Sequence, residues 1–414
     1  MSKQEIEQIL GVQRPTTKDT VIWNMYWERQ GQPWRNQPEI DAERQEYLGK
    51  RRYRALKEGK LIEPLRDIPL SRADIEWLLA IHERGRGPVD WNDVGQRQRK
   101  GLHLCKADLR NTDLSNLPLA NVDLSDAHLE GALLSDAHLE SANLVRAHLE
   151  YANLGRAYLE DALLLDVHLE GASIGSAHLE GAMLMQSHVE GADLSNCFFD
   201  ARTNLNSVTL FSQETGGVTL ADVRWGDVNL AVVDWSALAI LGDESGALHL
   251  SGDYATPRFK LEFLKRATRA YRQLSVVLRN QGLTEDAARF AYRAQLMQRK
   301  VFWHQRKFGQ YLFSLFLDLL AGYAFKARRS FAAYLIVIAA FAMAYFIVGH
   351  TVGPALSPLS SVVFSMTSFH GRGFFPGGIG LDDPLTVLAA LEAFVGLLIE
   401  VTFIATLTQR LFGK

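Results

Sequence analysis

Three sets of side chains in this 414-residue chain have the type and spacing to do chemistry. The first recurs every ten residues: His128, His138, His148, His168, His178 and His188, with Tyr158 in the gap. Each is followed two residues later by one of Glu130, Glu140, Glu150, Glu160, Glu170, Glu180 and Glu190. Imidazole and carboxylate both bind metals and both carry protons, so the pattern admits a metal stripe, a pH-tuned assembly face or a solvated surface of His–Glu pairs. The pairing reading is preferred, and no metal or other cofactor is assigned. The second set is Thr367-Ser368-Phe369-His370-Gly371-Arg372-Gly373, a glycine-bearing run between two long apolar stretches. The third is Glu392 and Glu400, carboxylates within an apolar run. A charge at the centre of a bilayer costs around 2.5–3.5 kcal/mol, so such a residue must face water or a partner. There is no phosphate-binding loop, no pair of catalytic carboxylates and no nucleophile motif. No catalytic residue is assigned and no enzyme is expected.

The elements that must position these groups change character along the chain. Residues 1–100 read as a helical, polar N-terminal domain with scattered tryptophans, and Ser71 with Asp74 forms a capping box that starts a helix near Arg72. Alternating charges in residues 41–60 read as a solvated helix face. Net charge is −3, which gives no reason to expect a nucleic-acid partner. Two cysteines exclude a disulfide framework and suit a reducing compartment. The first thirty residues lack the apolar core of a secretory signal, so the bulk of the chain is expected in the cytoplasm.

From Gly101 the sequence falls into blocks of five: GLHLC KADLR NTDLS NLPLA NVDLS DAHLE and onward to NCFFD. The fourth position runs Leu104, Leu109, Leu114 to Leu194 and Phe199, broken only by Ile174 and Val189, and the second position is mostly Ala or another small residue. These twenty blocks closely resemble the pentapeptide-repeat family. The resemblance implies a right-handed quadrilateral β-helix over 101–250, with one block per side and the fourth- and second-position residues inward. Coils stacked at roughly 4.8 Å would make a rod about 24 Å long. A phase break at 201–217 precedes a second run, Ala221–Ile240, read as one further coil.

A basic helical hairpin is expected over 257–307, where thirteen basic residues stand against Glu262, Glu285 and Asp286. An anionic lipid surface is the partner this charge favours. Residues 308–328 follow as an interfacial helix and linker, since the apolar run Gln310–Ala321 is too short to span. Ser330–Val352 and Pro384–Leu407 are long enough to cross a bilayer. Basic residues flank both outer ends, so both termini are expected in the cytoplasm, under a multi-pass plasma (inner) membrane protein.

Between the spans, Pro358–Met366 is a half-helix followed by a Gly-rich stretch, which is permitted at membrane depth only where protein encloses it. Over residues 329–414 this order of span, half-helix, loop and span resembles the two-helix pore module of potassium channels. The resemblance implies a homotetramer conducting ions, with Thr367–Gly373 as the selectivity filter. The filter departs from the family's Thr-Val-Gly-Tyr-Gly-Asp. One alignment anchors on Thr367 and Gly371, and another lays Gly371-Arg372-Gly373 over Gly-Tyr-Gly. Arg372 then forms either an anion-attracting ring or a brace to Asp382, Asp383 or Glu392. On a helical wheel Glu392, Gly396, Glu400, Phe403 and Leu407 share one arc, read as pore-lining and gating. The alternative to a channel is a non-conducting, membrane-anchored scaffold whose rod binds a protein partner.

Overall fold

In the computed structural model the described residues are 14–58, 63–249, 256–321, 327–351, 355–371 and 383–412. The chain divides into two compact units, Met1–Leu283 and Thr284–Lys414.

The core of the first unit is a stack of parallel single-residue bridges in which each third-position residue pairs with its counterpart twenty residues on, as His128 with His148 and His148 with His168. Twenty residues are four blocks, so one coil takes up four blocks. The reason lies in the repeat itself. A turn closes each block, with the second-position N–H donating to the preceding fourth-position carbonyl, as Ala107 N does to Leu104 O at 3.0 Å. The first residue of the next block takes a positive φ, as at Asn111 (55°), Asp126 (54°) and Gly131 (68°). That conformation favours Gly, Asn and Asp, the residues enriched there. The fourth-position Leu and second-position Ala are completely or almost completely buried throughout.

The phase break proves shallower than the sequence implies. Met183 pairs with Asn204 and His188 with Thr209, one residue out of step, and Asp193 then pairs with Thr219 and Phe198 with Arg224. One inserted residue and a small hairpin, Phe211–Ser212 against Gly216–Gly217, therefore carry the extra length outward while the coil continues. Within the run expected to add a whole coil, Arg224 makes the last bridge among the described residues. Short 3-10 turns at Leu230–Val232 and Trp235–Ala237 follow. Trp225 closes the tube, stacked on Phe199 at 5.7 Å and meeting Trp235 edge-on at 6.4 Å.

Both ends of the rod are covered. At the start, Pro69 bridges to Asp108, and Arg72 reaches the Asp113 and Ser115 carbonyls at 3.3 and 3.0 Å. The helix Arg72–Ala80 opens on the expected capping box of Ser71 and Asp74. It stops well before Gly85, because Glu83 and Arg84 adopt positive φ values of 47° and 65°. Its fully buried Glu76 accepts from Asn36 N, Gln37 N and Arg72 Nε. At the far end, the helix Pro257–Asn280 lies on the last coil. Arg269 and Gln273 engage Asp222, and Arg266 engages Asp193 and Asp243. Part of the basic excess expected to meet lipid is thus spent on the rod.

The second unit is helical: Thr284–His304, Phe308–Ala321, Ala327–Thr351, Pro358–Phe369 and Pro384–Phe412. Asp318 ties the first two together, accepting from Arg299 at 2.7 Å and Tyr292 at 3.0 Å.

Candidate functional site

Within the second unit, two helices are long and apolar enough to cross a membrane, over Phe331–Thr351 and Pro384–Ile404. The half-helix packs against both. Ser357 caps its start by accepting from Ser360 N at 3.1 Å, with Pro358 at the first helical position. Its end falls at Phe369 rather than Met366. The stop is Gly371, whose φ of 66° provides the left-handed residue that terminates helices. Thr367, Ser368 and Phe369 therefore occupy the last helical turn instead of an extended filter, and Thr367 Oγ1 donates back to the Phe364 carbonyl at 2.9 Å. Phe369 is buried against Tyr334, Ile338 and Ile399. Arg372 and Gly373 lie outside the described residues, as does Asp382.

The half-helix carries a polar seam. Ser361, Ser365 and Ser368, spaced four and three apart, are all buried. Ser365 Oγ donates to Glu392 Oε1 at 2.5 Å, and Tyr345 Oη donates to Glu392 Oε2 at 2.7 Å. Glu392 is fully buried with both carboxylate oxygens engaged by hydroxyls. One turn later, Gly396 lies directly on the half-helix: a Cβ there would stand 2.1 Å from the Phe369 carbonyl oxygen. A further turn on, Glu400 meets His370 Nδ1, whose Nε2 faces Tyr334 Oη at 3.2 Å.

The arc read as pore-lining is thus turned toward the half-helix inside one chain at Glu392, Gly396 and Glu400. The reason is steric and electrostatic together. A glycine permits the close approach, Glu392 finds hydroxyl partners there instead of water, and the part-exposed Glu400 finds an imidazole. Phe403 is half-buried, and the side chain of Leu407 lies outside the described residues. The exposed face of this helix is apolar, through Val387, Leu391, Phe394, Leu398 and Val401. Sequence reasoning missed Tyr345, Tyr334 and Ser365. The serine spacing alone marked one face of the half-helix as polar, whereas nothing local tied Tyr345 to a carboxylate 47 residues away.

On the rod, the His and Glu ladders form two stacks. His128, His148, His168 and His188 stack at 5.2, 4.9 and 4.9 Å, and His138, Tyr158, His178 and Phe198 at 4.5, 5.3 and 4.5 Å. His138 Nδ1 lies 2.8 Å from Glu140 Oε1, which holds the imidazolium form and pushes the His138 pKa up. Glu160 moves up too, because burial disfavours its charge. These faces are less solvated than expected: in all seven glutamates Oε2 is buried and accepts no hydrogen bond.

Comparison with known proteins places the rod. The family model for pentapeptide repeats, itself eight copies long, matches twice, at residues 123–161 and 162–200. Among solved structures, Rfr23, a pentapeptide repeat protein from the cyanobacterium Cyanothece 51142, is 27% identical over 31% of this chain and 91% of its own, with a TM-score of 0.20. A pentapeptide repeat protein from Nostoc PCC 7120 is 30% identical over 28% of this chain and 84% of its own, with a TM-score of 0.11. Full-length QnrB1, a plasmid-mediated fluoroquinolone resistance protein, is 15% identical over 35% of this chain and 77% of its own, with a TM-score of 0.15. No curated protein matches the chain.

Proposed function

The chain belongs to the pentapeptide-repeat proteins, and on that premise we propose that its second unit is the membrane part of an ion channel, built from four copies and crossing the bilayer twice per copy, with both termini and the rod in the cytoplasm. The observation that carries this reading is the half-helix Pro358–Phe369. At twelve residues it is too short to cross, yet it packs against two helices of spanning length. Its buried side carries the serine seam beside Phe364 and Phe369, and its exposed side is Leu359, Val362, Val363 and Met366. A buried polar seam under an apolar outside suits a segment that enters a bilayer under the cover of its own protein. A plain anchor has no use for such a segment.

The ion path would run past His370 and Gly371, with the His370–Glu400 pair at its inner edge. The apolar stripe Val387, Leu391, Phe394, Leu398 and Val401 would meet lipid or the neighbouring copies. Planar-bilayer recording of the purified full chain, under asymmetric KCl and then potassium against sodium, tests the reading. Single-channel currents with a defined reversal potential are expected. Silence across voltage and pH would refute conduction and leave a membrane-anchored rod.

A further inference from the structure

The rod's two ladders hold carboxylates and imidazoles in an arrangement that hydrogen bonding within the chain leaves incomplete. In each of Glu130, Glu150, Glu170 and Glu190 one oxygen, Oε1, faces the imidazole of its own block, at 3.3, 3.2, 3.2 and 3.6 Å from Nδ1 of His128, His148, His168 and His188. The other oxygen, Oε2, is buried and partnerless in all four. Glu190 as a whole is only 8% exposed. On the second ladder His178 sits between two carboxylates, 4.0 Å from Glu160 Oε1 and 3.6 Å from Glu180 Oε1, within hydrogen-bonding range of neither. Stacking then brings one coil's carboxylate against the next coil's His–Glu pair. In Glu130/His148/Glu150, Glu150/His168/Glu170, Glu170/His188/Glu190 and Glu160/His178/Glu180, one ligand atom from each residue lies within 4.8 Å of the others.

A proton shared between imidazole and Oε1 satisfies one carboxylate oxygen and leaves the second bare. A cation between coils satisfies both, and it also offsets the repulsion of like charges stacked at coil spacing. We propose that these ladders bind divalent transition-metal ions of the zinc class. The chemistry selects the class: one imidazole nitrogen with two carboxylate oxygens suits Zn²⁺ and its first-row neighbours, whereas Mg²⁺ and Ca²⁺ take all-oxygen sites. Charge sets the number. Adjacent sets on the first ladder share Glu150 and Glu170, so filling all three would put six positive charges against four carboxylates. The outer two, Glu130/His148/Glu150 and Glu170/His188/Glu190, share nothing and each balances one ion with two carboxylates. Glu160/His178/Glu180 does the same on the second ladder. The rod therefore takes three ions. Interruptions in the pattern fit this count: Tyr158 and Phe198 stand where further imidazoles would complete the second ladder, and His138 has Ala120, not a glutamate, one coil before Glu140. His188 Nδ1 also meets Thr209 Oγ1 at 3.1 Å, a hydroxyl that can give its hydrogen to the Ser187 carbonyl, 3.2 Å away, when the nitrogen binds metal.

The test is calorimetric titration of ZnCl₂ into the full chain, stripped of metal and held in detergent. Three equivalents are expected to bind saturably. His148→Gln and His178→Gln should each lose one equivalent, the quadruple variant that adds His168→Gln and His188→Gln should lose all three, and His138→Gln should keep all three. Circular dichroism of each variant, matched to the parent, separates a lost ligand from a lost fold. Cobalt(II) added in place of zinc gives visible absorption bands that should fall in step with the same substitutions. No saturable heat, or three equivalents that survive the quadruple variant, would overturn the proposal and leave the ladders as proton-sharing pairs.

Discussion

Replacing Gly396 by alanine tests the packing on which the membrane unit rests. The new Cβ would lie 2.1 Å from the Phe369 carbonyl oxygen, 3.0 Å from its carbonyl carbon and 3.1 Å from its ring. Ordinary contact begins near 3.4 Å, so the helix and half-helix must part by about 1.3 Å. The obstruction is backbone, which cannot rotate away as a side chain would. Overpacking of this kind costs about 1–3 kcal/mol. One turn earlier on the same helix, Glu392 holds Ser365 at 2.5 Å and Tyr345 at 2.7 Å. A parting of that size stretches the Ser365 bond beyond useful length, and losing a buried hydrogen bond adds about 1 kcal/mol. The sum is about 2–4 kcal/mol, which for a unit of this size lowers the midpoint by roughly 6–16 °C.

The assay is thermal melting of the full chain in detergent, followed by helical circular dichroism, with conductance measured on the same preparation. Gly309→Ala is the control. It also lies in a helix, Phe308–Ala321, but its Cβ would meet nothing within 4 Å. There the higher helix propensity of alanine should leave the midpoint equal or slightly raised. Equal midpoints for Gly396→Ala and the parent would refute the close contact, and with it the half-helix packing that supports a channel.

Three further outcomes follow from the first unit. Asp243 is buried, its Oδ1 accepts no hydrogen bond, and its pKa is pushed up to about 6 by burial, which outweighs Leu220 N–H and Arg266 at 3.4 Å. Between about pH 4 and 6 the folded chain keeps a proton that the unfolded chain has lost, so this group's contribution to stability falls as pH rises through that window and is flat above it, by about 3 kcal/mol in all. Urea denaturation at several pH values should show that slope in the parent and lose it in Asp243→Asn. Tyr271 Oη donates to Glu244 at 2.7 Å and accepts from Leu241 N at 3.0 Å, all buried, so Tyr271→Phe should cost about 2–4 kcal/mol by the same denaturation. Arg156 pairs with Asp136 at 2.6 Å but is 70% exposed, so Arg156→Ala should leave the urea midpoint unchanged within error.

The rod was legible because its rule is local and repeats: one side chain in five must be large, apolar and inward, one must be small, and the turn residue must tolerate positive φ. Each block restates the rule, so the fold follows from any few of them. The break after Asp200 was misread for the same reason. An insertion that leaves the coil's hydrogen bonding intact shifts the five-residue register, and a reader following that register sees a break in phase where the chain carries the coil on. The half-helix shows a related limit. Its end was placed at Met366 because the apolar run ends there, whereas a helix stops where its carbonyls find another partner, and here that place is Gly371.

The arc Glu392, Gly396 and Glu400 was correctly seen as one face, but a helical wheel reports only which residues lie together, not what lies opposite them. Two carboxylates and a glycine on an apolar helix are consistent with a wet lumen or with a polar neighbour packed close. Glycine favours the second, because water needs room and a backbone contact needs its absence. The decisive partner, Ser365, was visible in the serine spacing of the half-helix, where an apolar segment meant only for lipid would have no reason to repeat hydroxyls at four and three. Matching one helix's polar stripe to another's predicts their contact from sequence. Applied here, it places the carboxylates between helices of one chain, and leaves the apolar stripe Val387, Leu391, Phe394, Leu398 and Val401 as the face bare for lipid or for other copies.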